Sequence, residues 1–479
     1  MPTDTFDVVV IGAGPPGQNV AEQVVRGGLS CALVEHELVG GECSYWACMP
    51  SKAMLRPWAA WSAAQAVPGS QAAEEDGVDA KRVMNSRDAF ASRWRDDSQV
   101  EWVEDVGAVL FRGHGRLAGE RRVDVASRQG ELAELTARHA VVISTGSRAA
   151  IPEIPGLAAA NPWTNRGGTA ADQVPESLAV IGGGAVGTEL ATAWASLGST
   201  VTLLARGERL LSRMEPFAGD LVAAALRDMG VDVRTGTSVE SVSRDDATGP
   251  VTLRTSGGEE IVAAEVLVGA GRAPRTDEVG VDSVGLTPGD WLAVDPTARV
   301  KGVTGDWLYA VGDVNGRSLL THQGKYQARQ AGAAIVARAS GQAVDESPWG
   351  RYAATADEVA ASQVVFTHPA VAFVGRTAEQ ARRAGMNVDV VDYDLAKVAG
   401  AALHAKGYEG QARMVVDRER QVIVGATVVG PDVAEMIHAA TVAVVGEVPL
   451  ERLWHAVPAF PTVSEVWLRL LETYSADGQ

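Results

Sequence analysis

Residues 7–17 read DVVVIGAGPPG, a short apolar run that leads directly into a cluster of glycines. This pattern predicts a buried strand over residues 6–11 and a helix over residues 18–26. A second apolar run, residues 31–34, ends at Glu35, about twenty residues beyond the glycines. Strand, G-x-G-x-x-G, helix, strand and acid in this order form the complete dinucleotide-binding fingerprint.

The three glycines of this fingerprint have different predicted roles. Gly12 permits the tight turn, Gly14 lets a pyrophosphate approach the backbone, and Gly17 lets the helix pack closely against the strand. The helix N-terminus then faces the phosphates, because its unpaired N–H groups and its dipole favour negative charge. Glu35 is expected to accept hydrogen bonds from ribose hydroxyls. The start of the chain therefore predicts one bound dinucleotide.

A second fingerprint lies at residues 178–189, which read LAVIGGGAVGTE. Its glycines are Gly182, Gly184 and Gly187. The strand that follows, residues 201–204, leads to Ala205 instead of an acid, and Arg206 comes next. A carboxylate at this position favours a free ribose 2′-hydroxyl, whereas arginine suits a 2′-phosphate. NADPH is therefore predicted in preference to NADH; the alternative interpretation is that Arg206 is an ordinary surface charge.

Two of the three cysteines in the chain, Cys43 and Cys48, have four residues between them and follow the first fingerprint closely. Paired thiols beside a bound dinucleotide indicate electron transfer between a cofactor and a disulfide. Metal binding is the poorer interpretation, because no second cysteine pair or histidine cluster completes four ligands nearby. No metal site is predicted. Cys31 lies in an apolar run and is expected to be a buried strand residue.

Length, charge and hydropathy narrow the class of protein. The 479 residues are too many for one core and predict about three domains. The formal net charge of −18 argues against a nucleic-acid partner, because phosphates would be repelled. No apolar run reaches the length of a membrane span, and no signal peptide is recognised before the first strand. A cytoplasmic protein with no membrane partner is therefore expected, and a structural disulfide is rare in that compartment.

These motifs, in this order, resemble those of the pyridine nucleotide–disulfide oxidoreductases, the family of dihydrolipoamide dehydrogenase, glutathione reductase and mercuric reductase. The resemblance covers nearly the whole chain. Beside the two fingerprints it rests on residues 40–52 (GGECSYWACMPSK), 144–147 (STGS), 271–274 (GRAP) and 309–313 (YAVGD).

The resemblance implies roles for the cysteines and for one ion pair. Cys48 is implied to be the charge-transfer thiol next to the flavin, and Cys43 the interchange thiol that meets the substrate. Lys52 is implied to lie near flavin N5 and to pair with Glu189 on the nicotinamide side. FAD and NADPH, with NADH as the alternative to NADPH, are the implied cofactors.

The resemblance also implies cofactor contacts elsewhere. Asp313 is implied to bind the flavin ribityl chain. A helix that opens around Leu320, Thr321 and His322 is implied to face the flavin pyrimidine ring, where its N-terminus stabilises negative charge on the reduced ring. The other positions implied to contact a cofactor are Gly41, Glu42, Gly115, Thr145, Gly146, Ser147, Gly271, Arg272 and Gly312.

The implied fold is α/β, with two Rossmann-like dinucleotide-binding domains and a C-terminal α+β dimerisation domain. The FAD-binding domain is expected over residues 1–155 and 276–345, the NAD(P)-binding domain over 156–275, and the dimerisation domain over 346–479. A homodimer is expected, because the C-terminal segment of one family member closes the site of its partner.

Several local elements are predicted outside the fingerprints. Residues 60–85 suggest a helical hairpin or a surface excursion. Residues 467–471 are apolar enough for a helix at a dimer interface, with packing inside one chain as the alternative. A helix is expected to begin near Thr321 and another at Val433. Strands are expected over residues 363–366, 412–416 and 422–429.

One position departs from the family pattern. Disulfide reductases of the family carry a C-terminal His-Pro pair, followed by a glutamate, and this histidine is the acid–base group. The matching segment here, residues 459–465, reads AFPTVSE, so Phe460 stands at the histidine position and Glu465 is retained. Phenylalanine has no proton to exchange. Three histidines are not expected to replace the missing one: His455, His322 and His368.

The leading prediction is an FAD-dependent NADPH oxidoreductase that relays electrons through the Cys43–Cys48 dithiol. Its small-molecule substrate is left open among an unusual disulfide, a dithiol oxidised in the reverse direction, and a metal ion. One alternative is quinone or oxygen reduction that bypasses the cysteines; another is a redox-sensing flavoprotein of low turnover. A third is a dihydrolipoamide dehydrogenase with an altered C-terminus. Mercury reduction is not favoured, because no cysteine follows Cys48.

Overall fold

The computed structural model describes residues 3–70, 77–246 and 248–477. The chain divides into two compact units. The first unit comprises Met1–Met49, Asp88–Arg148 and Arg272–Glu358. The second unit comprises Pro50–Arg87, Ala149–Gly271 and Val359–Gln479. The sequence predicted the boundaries of three domains. A division into two compact units does not test those boundaries, so they stay a prediction.

Strands and helices alternate through most of the described chain. The strands are β1 (Thr3–Ile11), β2 (Cys31–Glu35), β3 (Val109–Arg112), β4 (His114–Leu117), β5 (Arg122–Ala126), β6 (Leu132–Ile143), β7 (Ser147–Ala149), β8 (Ser177–Ile181), β9 (Thr200–Leu204), β10 (Asp232–Arg234), β11 (Val239–Arg244), β12 (Val251–Thr255), β13 (Glu260–Ala263), β14 (Glu265–Val268), β15 (Arg272–Pro274), β16 (Leu308–Ala310), β17 (Ser362–Val365), β18 (Ala370–Gly375), β19 (Val388–Asp394), β20 (Gln411–Asp417) and β21 (Val422–Gly430). The helices are α1 (Pro15–Arg26), α2 (Gly41–Tyr45), α3 (Cys48–Gln65), α4 (Ala80–Phe90), α5 (Asp97–Val106), α6 (Asn165–Ala170), α7 (Ala185–Ser196), α8 (Pro216–Asp228), α9 (Thr321–Ala339), α10 (Ala356–Val359), α11 (Ala378–Arg383), α12 (Ala399–His404), α13 (Ile437–Val445), α14 (Leu450–Leu453) and α15 (Val466–Asp477).

The first unit is built on a largely parallel sheet in the order β3-β2-β1-β6-β5-β4, with β16 beside β6. Strand β1 lies between β2 and β6, parallel to both. Its residues Val8, Val9 and Val10 are fully buried, as expected for a strand covered on both faces. Cys31 in β2 is buried as predicted, and burial raises the pKa of its thiol to about 12.

Helix α1 begins earlier than the sequence pattern predicted. It starts at Pro15 and not at residue 18, because a proline at the first helical position has the required φ and lacks only an N–H that would be unpaired there. The helix N-terminus therefore follows Gly14 directly, at the end of the glycine turn.

Three sheets lie in the described part of the second unit. A parallel sheet in the order β10-β9-β8-β14 carries the second fingerprint, and β11-β12-β13 form an antiparallel sheet. The C-terminal sheet has the antiparallel order β17-β18-β21-β20-β19, with α13 packed on β21 and α15 on β19. The predicted class, two Rossmann-like units and an α+β region, is confirmed.

Most local predictions in the second unit agree with the structure. The three predicted C-terminal strands are present as β17, β20 and β21, with ends shifted by at most one residue. The helix predicted from Val433 begins as a short 3-10 helix, Val433–Glu435, because Asp432 takes a left-handed φ of 55° immediately before it. The α-helix, α13, starts only at Ile437.

The predicted excursion at residues 60–85 is in part a core element. Helix α3 ends at Gln65 and α4 begins at Ala80, while residues 71–76 lie outside the described residues. Val83 and Met84 of α4 are buried in the core of the second unit with Trp194 of α7. The interpretation as a surface excursion is therefore wrong for α4, because its apolar face is covered.

The apolar helix near the C-terminus packs inside its own unit. Val466 and Leu470 of α15 are fully buried and Leu471 is nearly so, which supports the intramolecular alternative for these side chains. Trp467 and Leu468 stay partly exposed. No helix in the described ranges combines the length and the apolar character that a bilayer crossing requires.

Asp357 is a buried carboxyl group in the first unit. Neither of its oxygens has a hydrogen-bond partner among the described residues, and the same is true of Nε2 of buried Gln327. Burial raises the pKa of Asp357 to about 7, and the Arg317 charge acts in the opposite direction. The folded state therefore holds a proton that the unfolded chain loses near pH 4.

We expect the Asp357→Asn variant to be more stable than the wild type at pH 8. The raised pKa means that the contribution of Asp357 is fully present below about pH 4 and is lost as the pH rises to about 7. Asparagine does not titrate, so the advantage grows over this range to the order of 2–4 kcal/mol. Thermal unfolding at pH 5 and pH 8 measures it.

Asp345 provides the matched control for this prediction. It is exposed, and hydrogen bonds from Ser347 lower the pKa of its carboxyl group. Asp345→Asn should therefore give no gain at pH 8. A Tm difference between Asp357→Asn and the wild type that is the same at both pH values would contradict the prediction.

Candidate active site

In the turn between β1 and α1, two glycines pack against backbone atoms and a third has free space beside it. A Cβ on Gly12 would lie 2.4 Å from the Ser144 carbonyl oxygen, and one on Gly17 would lie 2.0 Å from the Gly12 carbonyl oxygen. A Cβ on Gly14 would meet nothing nearer than 4.0 Å. The open glycine lies at the N-terminus of α1, so this turn fits a bound pyrophosphate.

Glu35 is held beside this turn by backbone donors. Its Oε2 accepts a hydrogen bond from Ala13 N at 2.8 Å, and its Oε1 accepts one from Glu37 N at 2.7 Å. A carboxylate oxygen can accept two donors, so Oε2 retains capacity for a ribose hydroxyl. The Glu35 side chain raises the pKa of His36, whose Nδ1 lies 3.3 Å from Oε1. Gly115 lies close to Val34 across the sheet.

Asp313, Ser147 and Arg272 form a compact polar group in the first unit. Ser147 Oγ donates to Asp313 Oδ2 at 2.5 Å and accepts from Arg272 Nε at 2.6 Å. Burial raises the pKa of Asp313, although Ser147 and Arg272 act in the opposite direction. Gly312 takes a positive φ of 76° and donates its N–H to Gln327 Oε1 at 2.8 Å. The structure thus brings together predicted residues from three distant segments.

Neighbouring predicted residues join the same region. Thr145 Oγ1 donates to the Arg275 carbonyl oxygen at 2.7 Å, and Gly146 takes a positive φ of 73°. Arg275 forms an ion pair with Glu42, Nη2 to Oε1, at 3.2 Å. The sequence analysis missed Arg275 and Gln327, because no local motif marks them. Gly271, which belongs to the second unit, has a φ of 152°.

The cysteine segment is anchored to the first fingerprint. Gly40 and Gly41 both have positive φ, and Gly40 N donates to the Ala13 carbonyl oxygen at 2.8 Å. A Cβ on Gly41 would lie 2.9 Å from the Gly14 Cα atom. Glycine is therefore required at position 41, and the segment lies directly against the predicted pyrophosphate turn.

Cys43 lies in α2 and Cys48 opens α3, and both are partly buried thiols that form no disulfide. The side chains hydrogen-bond to each other, which is the largest cause of the raised pKa of Cys43, ahead of burial and of the negative charge on Cys48. Cys48 Sγ also lies 3.4 Å from Thr321 Oγ1, in the first turn of α9. The hydrogen bond, burial and the charge on Cys48 therefore all favour the protonated form of Cys43. Leu320 precedes this helix as its N-cap residue.

Lys52 and Glu189 meet in the second unit. Lys52 Nζ lies 2.6 Å from Glu189 Oε2, and Glu189 Oε1 accepts a hydrogen bond from Phe366 N at 2.8 Å. The Lys52 ammonium also lies over the Phe366 ring, 5.1 Å from its centroid. Phe366 was not predicted as a site residue, since only the fold brings β17 to this ion pair.

The second glycine turn repeats the pattern of the first. A Cβ on Gly182 would lie 2.5 Å from the Gly269 carbonyl oxygen, and one on Gly187 would lie 1.8 Å from the Gly182 carbonyl oxygen. A Cβ on Gly184 would meet nothing within 4 Å. Ala205 is buried, whereas Arg206 is exposed and has no ion pair or hydrogen bond among the described residues.

The C-terminal segment presents Phe460 and buries Glu465. The Phe460 side chain is 75% exposed, whereas Glu465 is 6% exposed and bonds through Oε1 to Arg469 Nη2 at 2.5 Å. The other oxygen, Oε2, has no partner among the described residues. His455 is exposed nearby, and burial lowers the pKa of His368, which keeps its ring neutral. His322 is exposed in the first turn of α9.

The chain is similar to known proteins over nearly its whole length. The family model described as pyridine nucleotide-disulphide oxidoreductase matches residues 6–341, and the model of the corresponding dimerisation domain matches residues 361–470. A dihydrolipoyl dehydrogenase of Thermus scotoductus is 32% identical over 96% of this chain and 95% of that protein. A mercuric reductase of Staphylococcus aureus is 28% identical over 96% of this chain and 81% of that protein.

One solved structure shares the fold at lower sequence identity. It is the Cu(II) complex of the HOCl-induced flavoprotein disulfide reductase RclA from Escherichia coli. The comparison covers 98% of this chain and 99% of that chain, with a TM-score of 0.81 and 23% identity.

Proposed function

Since this chain belongs to the pyridine nucleotide–disulphide oxidoreductase family, we propose that it transfers electrons from NADPH to a small-molecule disulfide through the Cys43–Cys48 dithiol. The family is FAD-dependent and takes its electrons from NAD(P)H. The observation that carries the finer proposal is the hydrogen-bonded pair of thiols, of which Cys48 contacts Thr321 in the first turn of α9.

The residues fit the cofactors of this reaction. FAD, when bound, supplies the two-electron carrier between NADPH and the dithiol. Gly14, Glu35 and Asp313 would hold its pyrophosphate, ribose and ribityl groups. Gly184 would admit the pyrophosphate of NADPH, because it is the open glycine of the second turn. Glu189 holds the Lys52 ammonium in one orientation through the short ion pair.

The two thiols have different roles in this proposal: Cys43 attacks the substrate and Cys48 resolves the mixed disulfide. In this proposal Cys48, which contacts Thr321, carries the negative charge of the reduced pair. Cys43 holds the proton, because its hydrogen bond with Cys48 and its burial raise the pKa of its thiol. Cys43 must lose that proton before it attacks a substrate disulfide, since the thiolate is the nucleophile. Cys48 then resolves the mixed disulfide on Cys43.

A homodimer is part of this proposal. It is supported by the match to the dimerisation domain and by the exposure of Phe460 within one chain. Phe460 would contribute an apolar surface and no acid–base group, so a substrate that needs a proton donor would be a poor one. The cytoplasmic location predicted from the sequence stays a prediction.

Arg206 is proposed to select NADPH. We expect Arg206→Gln to lower kcat/KM for NADPH about 10- to 100-fold and to leave the value for NADH nearly unchanged, because a charge-assisted hydrogen bond to the 2′-phosphate is lost. The control is Arg209→Gln, since Arg209 pairs with Asp220 at 3.3 Å. Equal losses with both coenzymes, or with both variants, would contradict the assignment.

An anaerobic titration with NADPH tests the proposed function. Electrons that reach the dithiol should produce a long-wavelength thiolate-to-flavin absorption band as the protein is reduced. A disulfide such as 5,5′-dithiobis(2-nitrobenzoate), a Cu(II) salt and a quinone are then offered in turn as acceptors. Bleaching of the flavin with no new band would favour the alternative, quinone or oxygen reduction that bypasses the cysteines.

A further inference from the structure

Lys325 is a cation on the same face of α9 as the residue that contacts the dithiol. It lies one turn after Thr321, and residues four apart on a helix are neighbours on one face. Helical side chains lean towards the N-terminus of their helix, which for Lys325 is the direction of Thr321. Thr321 Oγ1 in turn lies 3.4 Å from Cys48 Sγ. Helix α9 therefore carries a lysine on the face that contacts the cysteine segment.

The charge of Lys325 acts on Cys43. Together with the Thr321 hydroxyl it lowers the pKa of the Cys43 thiol, against the larger raising effects of Cys48 and burial. Lys325 is partly buried, and no carboxylate lies within ion-pair distance of it among the described residues. Its charge is therefore not cancelled locally.

The other charges close to the cysteines in sequence are neutralised. Glu42, adjacent to Cys43, pairs with Arg275 at 3.2 Å. Lys52, four residues after Cys48, pairs with Glu189 at 2.6 Å in the second unit. His322, the remaining titratable side chain in the first turn of α9, is exposed.

We propose that Lys325 stabilises the Cys43 thiolate and the thiolate that leaves the substrate, in the absence of the histidine that Phe460 replaces. The inference rests on the proposed dithiol reaction and names the residue that lets it proceed without an acid. A fixed ammonium group is suited to this because it acts through its charge and needs no proton transfer.

The reaction balances without a proton from Lys325. The Cys43 thiolate attacks R–S–S–R, a bond forms between Cys43 and one sulfur, and the other sulfur leaves as RS⁻ with the bonding electron pair. The Cys48 thiolate then attacks Cys43 Sγ, which restores the Cys43–Cys48 disulfide and releases the second RS⁻. Water protonates both products, and the hydride of NADPH supplies the two electrons that reduce the pair again.

This arrangement favours a particular class of substrate. A charge stabilises a leaving thiolate but does not protonate it, so the rate should depend steeply on the acidity of the leaving thiol. Disulfides of acidic thiols, especially those that carry a carboxylate of their own to meet Lys325, are the expected substrates. Lipoamide-like disulfides, whose thiols are more basic, should react slowly.

The test measures the pH dependence of Cys43 alkylation in the holoenzyme. The protein is reduced with dithiothreitol, desalted without oxygen, and treated with iodoacetamide over a pH series, with the modified cysteine identified by peptide mass. We expect Lys325→Gln to raise the alkylation midpoint by about one pH unit or more, because an opposite charge nearby lowers a thiol pKa. Lys325→Arg, which keeps the charge, should stay close to the wild type.

Arg329→Gln is the matched control, because Arg329 is the exposed cation one turn further along α9. It removes the same charge from the same helix and should leave the midpoint unchanged. An unshifted midpoint in Lys325→Gln, or equal shifts in both variants, would overturn the role of Lys325. If Lys325 has no role but the wild type shows the long-wavelength band, the dithiol reaction remains supported. If the wild type shows no such band, the proposed function itself is contradicted.

Discussion

Replacing either active-site cysteine with serine should abolish disulfide reduction. We expect Cys43→Ser and Cys48→Ser each to lower kcat at least about 10³-fold with a disulfide substrate, because removal of a nucleophile from a concerted group costs most of the rate enhancement. Serine at either position forms no mixed or internal disulfide. Reduction of the flavin by NADPH should continue in both variants, since neither cysteine receives the hydride directly.

The two variants should differ in their spectra. If Cys48 is the charge-transfer thiolate, as proposed, Cys48→Ser should lack the long-wavelength band, whereas Cys43→Ser should retain it. Cys31→Ala provides the control, because Cys31 is a buried strand residue with a pKa raised to about 12 and no expected part in turnover. Undiminished reduction of the disulfide by both serine variants would exclude the dithiol route and support the bypass of the cysteines.

Restoring a histidine at position 460 should increase activity with ordinary disulfides. We expect Phe460→His to raise kcat on lipoamide about 10²-fold, because a positioned acid–base group commonly contributes that much or more. Glu465 Oε2 is buried without a partner among the described residues. A carboxylate oxygen can orient an imidazole by accepting a hydrogen bond from its ring N–H. The gain should appear with a new inflection near the pKa of histidine in the pH–rate profile.

Two further variants separate acid–base catalysis from a change of shape. Phe460→Leu alters the size of the side chain without adding a proton donor and should give no gain. Adding Glu465→Gln to Phe460→His should remove part of the gain, since the amide holds the ring less firmly than a carboxylate. If Phe460→His and Phe460→Leu change kcat equally, Phe460 is not at the acid–base position.

The sequence by itself determined the two dinucleotide turns. Glycine is required at four positions, because a Cβ atom there would clash with a backbone oxygen: Gly12, Gly17, Gly182 and Gly187. The motif therefore follows directly from the steric requirements of the turns. Gly14 and Gly184 are open for a different reason, the approach of a ligand. The apolar strands before each turn were readable for the same local reason: continuous burial in a parallel sheet needs continuous apolar sequence.

The sequence also determined the reactive cysteines, but it did not determine what surrounds them. Cys43 and Cys48 are recognisable from their spacing and from the adjacent fingerprint. The contact of Cys48 with Thr321 joins residues that are 273 positions apart, and periodicity carries no information about such contacts.

Only the tertiary structure decided which charges are compensated around the site. Arg275 reaches Glu42 and the Phe366 backbone reaches Glu189 across more than a hundred residues of chain, and both interactions depend on how sheets and helices pack. Lys325 has no motif at all, and it became a candidate because α9 directs it along the face that begins with Thr321. Local sequence specified the turns and the redox pair, since steric and covalent requirements are local. Electrostatic stabilisation acts through space, so the fold was needed to reveal it.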